Sequence, residues 1–339
     1  MKTALTIFGA AAWAASAMAQ GNSAAMMKAI VVHQNGGPEV LKYEDAPRPE
    51  PKEDEVLIRV MAAGVNPVDA AIRAGRFHGG AGKLPMTPGM DVAGVIEKTG
   101  AKVDRFKKGD AVYAYLSFAE QGGYAEFALA RQDETSLKPK NSTFEEAAGV
   151  PLAATTAWQA LVDTAKLEPG QTVLIHGGSG GVGSLAIQIA KARGAKVIAT
   201  ASTANQDLLK QLGVDQPIDY TKTKFEETVK DVDVVLDAVR GDTLARSYGV
   251  VKKGGIIVSI TAMPDQAECE KRGIRGKVIM AHPDAKVLEE LAKLIEAKKI
   301  RPIVSLTLPL AEAAKAHQQI ETAHTRGKVV LKVAEAPKP

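Results

Sequence analysis

Nineteen residues, VLIHGGSGGVGSLAIQIAK from Val173 to Lys191, constrain this chain more than any other stretch. An apolar run enters a cluster of glycines and leaves as an apolar segment of helical composition. Gly178, Gly180 and Gly183 fit the spacing GxGxxG, with Ser179, Gly181 and Val182 between them. The motif carries weight only between a strand and a helix, which is where it sits. In such a turn the first glycine allows the tight bend. The second removes a side chain where a pyrophosphate must approach, and the third lets helix and strand pack closely. Exposed N–H groups and the helix dipole then favour phosphate. Without a ligand, these glycines would only add chain entropy to be lost on folding.

The surroundings support a parallel sheet. Strands are expected at 172–177, 196–200, 216–220, 232–239, 254–260 and 276–281, with helices at 181–193, 205–213, near 241–250 and at 284–299. Near-continuous apolar strands alternating with helices indicate a sheet covered on both faces. Upstream, strands at 27–32, 40–43, 55–65, 91–100, 108–116 and 122–130, a helix at 67–75 and a glycine-proline loop at 77–89 describe a β-rich unit with long loops. Ser142 with Glu145, or Thr143 with Glu146, forms a capping box opening the next helix. A strand at 302–307, a helix at 311–322 and a strand at 327–333 close the chain. A length of 339 residues suits two domains.

Several function classes are disfavoured. The formal charge is +4 with both signs interleaved, and aromatics are 4%, so there is no nucleic-acid footprint. The lone cysteine, Cys269, forbids an internal disulfide and a cysteine-rich zinc site. Residues 1–19 read as a signal peptide, with Lys2, an apolar core from Ala4 to Ala15 and a cleavage site at Ala17-Met18-Ala19. That places the protein in the periplasm or outside the cell. The alternative is a cytoplasmic protein starting near Met27. The N-terminal stretch is too short for stable membrane insertion.

The second strand of the parallel unit ends VIATAST and lacks the carboxylate that would hold an NAD ribose. Asp207 falls later, inside the next helix. Ser202 and Thr203 offer hydroxyls to a 2′-phosphate instead, so NADP(H) is expected over NAD(H).

GGPEVL (36–41), AAGVNPVDAAIRAG (62–75), GVPLAATTAWQAL (149–161) and the glycine loop together resemble a zinc-free medium-chain dehydrogenase/reductase of the quinone oxidoreductase type. The resemblance runs from about Met27 to Val333. It implies an α/β chain with a GroES-like β-rich catalytic domain (27–148), a Rossmann nucleotide-binding domain (149–288), a return segment (289–335) completing the first, and a homodimer. Zinc-containing members place a cysteine where this chain has Asn66 and His-Glu where it has Met90-Asp91. Asp69 and Asp91 alone do not make a sound zinc site.

By the same resemblance, Asn66 and Thr155 lie near the nicotinamide. Ser259, Ile260 and Thr261 pass its carboxamide, and Tyr220 packs by the 2′-phosphate. Ala204 stands where a lysine often helps. Arg240, where glycine is usual, either reaches cofactor phosphate or is a solvated loop residue. The implied reaction passes hydride from NADPH to a small quinone or α,β-unsaturated carbonyl, the protein supplying orientation and a donor for the oxyanion. Asn66 or a backbone N–H meets that oxyanion. Tyr113, Tyr115 and Tyr124 are candidate donors whose competing role is packing, and Asn66 competes with loop capping. The lack of a committed catalytic acid leaves a second reading open, a non-catalytic NADP(H)-binding redox-sensing or structural protein of this fold.

Overall fold

The computed structural model describes residues 25–77, 83–118 and 122–335. The expected signal peptide and His78 of the glycine-proline loop lie outside the described residues.

The first sheet grows around β3 (Glu55–Val65), eleven residues buried almost throughout. It follows the hairpin of β1 (Met26–Val32) and β2 (Leu41–Pro47). Helix α1 (Pro67–Arg73) comes next, then β4 (Asp91–Thr99), β5 (Ala111–Tyr115), β6 (Phe127–Arg131) and β7 (Thr135–Leu137). The connector α2 (Phe144–Ala148) and α3 (Pro151–Trp158) follows, with α2 opened by Thr143 and Glu146: Glu146 N–H donates to Thr143 Oγ1 at 3.1 Å, and Thr143 N–H to Glu146 Oε2 at 2.8 Å.

The second sheet takes in β8 (Thr172–Ile175), β9 (Lys196–Ala201), β10 (Gln216–Asp219), β11 (Val232–Asp237), β12 (Val251–Ser259) and β13 (Arg275–Val278). Helices α4 (Gly181–Ala192), α5 (Gln206–Gln211), α6 (Phe225–Thr228), α7 (Thr243–Ser247) and α8 (Gln266–Arg272) lie between them, and α9 (Ala285–Glu296) follows. The order is β10-β9-β8-β11-β12-β13 and every pairing is parallel. Numbered within the unit this is 3-2-1-4-5-6, the doubly wound nucleotide-binding order, with a crevice where β8 parts the two winding directions.

The chain then returns. β14 (Val304–Pro309), α10 (Ala313–Glu321) and β15 (Lys328–Lys332) follow, and β15 pairs antiparallel with β3. The first sheet therefore runs β14-β15-β3-β4-β5-β7, with β6 also on β3. One apolar cluster spans both sheets, joining Ala62, Ala93 and Val330 to Val173, Ile175 and Leu185.

Register decides what meets at the end of β3. Val329 pairs with Val65, which sets Lys328 beside Asn66. Gly64 pairs with Asp91. Gly327 N–H donates to Ser179 O at 2.7 Å, bridging the return strand to the glycine loop.

The turn differs from the expected division of labour. Gly177, at φ +71°, makes the left-handed bend, not Gly178. Gly178 is instead glycine for space: a Cβ there would lie 2.9 Å from Leu209 and 3.0 Å from Ala199. At Gly183 a Cβ would sit 2.1 Å from Gly177 O, so the third glycine is the helix–strand contact as expected. Gly183→Ala should therefore cost about 1–3 kcal/mol, because the obstacle is backbone and cannot rotate away. Urea unfolding of the variant against the wild type measures it.

Candidate active site

Helix α4 begins without help from a side chain. Its N-cap is Gly180, no side chain caps it and its first turn holds no acidic residue. The first N–H groups of a helix lack internal partners, so this end offers positive dipole and free donors. A Cβ on Gly180 would meet only Gly177 O, at 3.4 Å, leaving the approach open. The donor set fits a pyrophosphate.

The ends of β9 and β10 bring Ser202, Thr203 and Tyr220 together, with Tyr220 N–H bonded to Ala201 O at 3.2 Å. Ser202 Oγ accepts from Asn205 at 3.2 Å and keeps its own hydrogen to donate. Tyr220 is 53% exposed. Thr203 corrects the expectation: its hydroxyl donates to Asp219 Oδ2 at 2.6 Å, so that hydrogen is already committed. Hydrogen bonds from Thr203 and Thr221 hold the Asp219 carboxyl below its ordinary range, and Lys222 stands 3.6 Å from it.

At the crevice, Asp237 ends β11. Its Oδ2 accepts from Ser259 Oγ at 2.8 Å and Thr261 Oγ1 at 3.0 Å, while Ile260 N–H bonds its carbonyl at 3.0 Å. The three expected nicotinamide-side residues are thus organised on an aspartate that sequence reasoning passed over. Burial raises the Asp237 carboxyl, and its Oδ1 is buried without a partner. Thr155 on α3 is fully buried and its hydroxyl also lacks a partner. Buried polar atoms are nearly always satisfied, yet the Thr155 hydroxyl and Asp237 Oδ1, like Asp69 Oδ1 and Arg48 Nε, are each left with an unused hydrogen-bonding position. Arg240 is exposed in the turn after β11.

His176 is a structural post. Its ring nitrogens meet Thr200 at 3.2 Å and Ser247 at 3.0 Å, and burial pushes its pKa down to about 3.

Asn66 starts α1, but its side chain makes no cap bond; Asp69 reaches back to the Asn66 N–H at 2.8 Å. The Asn66 amide is held by two other groups. Nδ2 donates to Asp91 Oδ2 at 2.9 Å, and the Lys328 ammonium donates to Oδ1. Lys328 lies 3.2 Å from Asp91 Oδ2, and Asp91 Oδ1 accepts from Leu152 N–H at 2.7 Å. Lys328 was absent from the sequence expectations. Its signal was a lysine set directly against the apolar run VVL of a strand, where a charge is buried only if paired.

The tyrosines are corrected. Tyr113 is fully buried and donates to Leu288 O at 2.5 Å. Tyr115 donates to Ala281 O at 3.0 Å. Tyr124, also fully buried, donates to Asp69 Oδ2 at 2.9 Å. All three hydroxyls are spent on the protein, so Tyr113 and Tyr124 are packing and network residues rather than donors to a substrate. Burial and the Asp69 charge hold the Tyr124 phenol far above its ordinary value.

This geometry defines a class. A 3-2-1-4-5-6 dinucleotide sheet set between β7 and a returning β15, with its phosphate loop bridged to the catalytic sheet, is a medium-chain dehydrogenase/reductase. Residues 52–140 match the alcohol dehydrogenase GroES-like domain, and 212–331 match the family described as zinc-binding dehydrogenase. A chloroplastic NADPH-dependent alkenal/one oxidoreductase of Arabidopsis thaliana is 42% identical over 316 residues, 90% of this chain and 79% of that one. The structure of a quinone oxidoreductase from Coxiella burnetii is 37% identical, with TM-score 0.84 over 91% of this chain and 100% of that one. A mycobacterial protein solved with NADPH is 30% identical, with TM-score 0.80 over 91% and 100%. The chain belongs to the zinc-free, quinone oxidoreductase-like branch of the medium-chain dehydrogenase/reductases. Among the described residues no three His, Cys, Asp or Glu side chains are grouped to hold a metal.

Asp69 generates a pH prediction. Burial raises its carboxyl from 3.8 to about 7. The folded state therefore holds this proton more tightly than the unfolded chain. The stability this contributes is complete below about pH 4 and is lost as pH rises to about 7. Asp69→Asn should flatten that decline by about 2–4 kcal/mol, read from urea midpoints at pH 4, 5.5 and 7.

Proposed function

We infer that this protein is an NADP(H)-dependent reductase that delivers hydride to quinones or α,β-unsaturated carbonyls without a metal. One observation carries the reading: an uncapped, acid-free helix start is bridged by Gly327 and Lys328 to a buried amide, Asn66, that retains a free N–H. A phosphate site and a hydrogen-bond donor for a carbonyl oxygen are thereby tied to neighbouring residues of one strand. The bound nicotinamide supplies hydride from C4.

The chain's own residues supply position. The start of α4 binds pyrophosphate through Gly180, Gly181, Val182 and Gly183. Ser202 and Tyr220 receive the 2′-phosphate, while Arg240 stands exposed in the turn after β11. Thr155 and the Ser259–Thr261 segment turn the nicotinamide, their support being the orphaned Thr155 Oγ1 and Asp237 Oδ1. Asn66 donates to the acceptor oxygen as negative charge develops there, and water supplies the proton that neutralises the anion formed by hydride addition. No titratable side chain is needed, since quinones and enones are electron-poor enough for direct transfer once oriented.

The decisive assay follows NADPH consumption with 1,4-benzoquinone and with a simple enone, with product identification. Turnover of either supports the reading; NADPH binding with no turnover of either overturns it. Gly180→Val should raise the NADPH dissociation constant more than about tenfold while the chain still folds, because the added side chain enters the space kept for phosphate.

We also propose a homodimer through β13. Among the described residues this strand pairs only with β12; Val278 on it, and Met263 and Met280 in the flanking segments, are exposed, Met280 by 62%. An unpaired edge next to apolar side chains is a template for a second copy. Light scattering should give twice the chain mass, and Val278→Asp should give monomer.

A further inference from the structure

An asparagine amide has one end that only accepts and one that only donates, nearly alike in shape. The end that meets a substrate is chosen by whatever holds the amide from behind. For Asn66 that choice is made by two charged groups of opposite chemistry. Lys328 is donor-only and meets Oδ1, and the Asp91 carboxylate is acceptor-only and meets Nδ2 at 2.9 Å. Lys328 and Asp91 also pair with each other at 3.2 Å, with side chains 5% and 0% exposed. Turned over, the amide would set N–H against an ammonium and C=O against a carboxylate. Both contacts would be repulsive where little water screens them.

We propose that Lys328 is a positioning residue for hydride transfer: acting through Asn66, it locks the amide so that the remaining N–H, never the carbonyl, faces the acceptor oxygen. The inference rests on the reductase reading and names the residue that sets its polarity. The backbone explains why a lysine serves. Register puts Lys328 beside Asn66, and Gly181 leaves room for its stem, since a Cβ there would lie 2.9 Å from Lys328 Cδ. A glutamine in its place would both donate and accept, and would leave Asp91 alone to choose the amide's face.

The test is a double-mutant cycle on the full chain with NADPH and 1,4-benzoquinone. Lys328→Met should lower kcat by roughly 10- to 100-fold while the NADPH KM moves less than about threefold. Lys328→Arg, donor-only like lysine, should recover most of that loss. In an Asn66→Ala background the same Lys328→Met change should lower kcat by less than about twofold further, because the amide it orients is gone. Independent, multiplying losses would overturn the proposal by showing that Lys328 acts on substrate or cofactor directly. An undiminished kcat in Lys328→Met would overturn it too. Should that variant fail to fold, Lys328→Gln against Lys328→Arg makes the same comparison, with equal kcat values refuting it. A wild type silent towards both acceptors overturns the reductase reading, and the lysine's role with it. A refutation confined to the variants leaves that reading intact.

Discussion

The ammonium of Lys328, buried between Asn66 and Asp91, is the interaction on which the arrangement depends. A charge taken out of water needs a partner and further hydrogen bonds, or the chain will not place it there. Here the partner comes from β4, the amide from the end of β3 and the lysine from a strand about 260 residues later. The three can meet only if β15 returns to β3 in one register. A slip of one residue would turn Lys328 to the other face. The same return places Gly327 against Ser179, so the phosphate loop and the catalytic sheet are held by neighbouring residues of one strand.

Beside this ring runs a second buried network of consistent polarity. Arg73 donates to His317 Nδ1 at 3.1 Å and to Glu321 at 2.6 Å. His317 therefore carries its proton on Nε2, which meets Tyr124 at 3.3 Å, and Tyr124 donates to Asp69. Burial and the Arg73 charge keep His317 neutral, its pKa pushed down to about 3. The network fastens α10 and α1 behind Asn66. It also consumes the titratable groups that an acid–base mechanism would use. Among the described residues, what remains at the site are an amide N–H, backbone donors and orphaned hydroxyl and carboxyl oxygens, a set suited to orienting hydride transfer.

Much of the fold was legible because it rests on local rules. The glycine spacing marked the turn, apolar strands marked the parallel sheet, and the overlapping pairs Ser142 with Glu145 and Thr143 with Glu146 marked a helix start, the second being the one that forms. Helix α8 escaped notice although Asp265 and Gly273 cap its two ends, because only Cys269 on it is buried and it has no apolar periodicity. Within the turn, Gly177 rather than Gly178 took the positive φ, since spacing alone does not say which glycine bends. The glycine turn lies between strand and helix, where its spacing put it. The hydroxyls of Tyr113, Tyr124 and Thr203 carry no mark in the sequence of where their hydrogens go.

The sequence by itself determined the two-sheet architecture, the phosphate-binding turn and the loss of thiol and imidazole at Asn66 and Met90. These follow from residue types and short spacings, and physics acts on them within a few turns of chain. Only the tertiary structure decided that Lys328 reaches Asn66, that Asp237 organises the Ser259–Thr261 segment and that the candidate tyrosines are spent inward. Hydrogen bonds and ion pairs between distant residues depend on strand register and on exclusion of water, and both arise only once the sheets have closed.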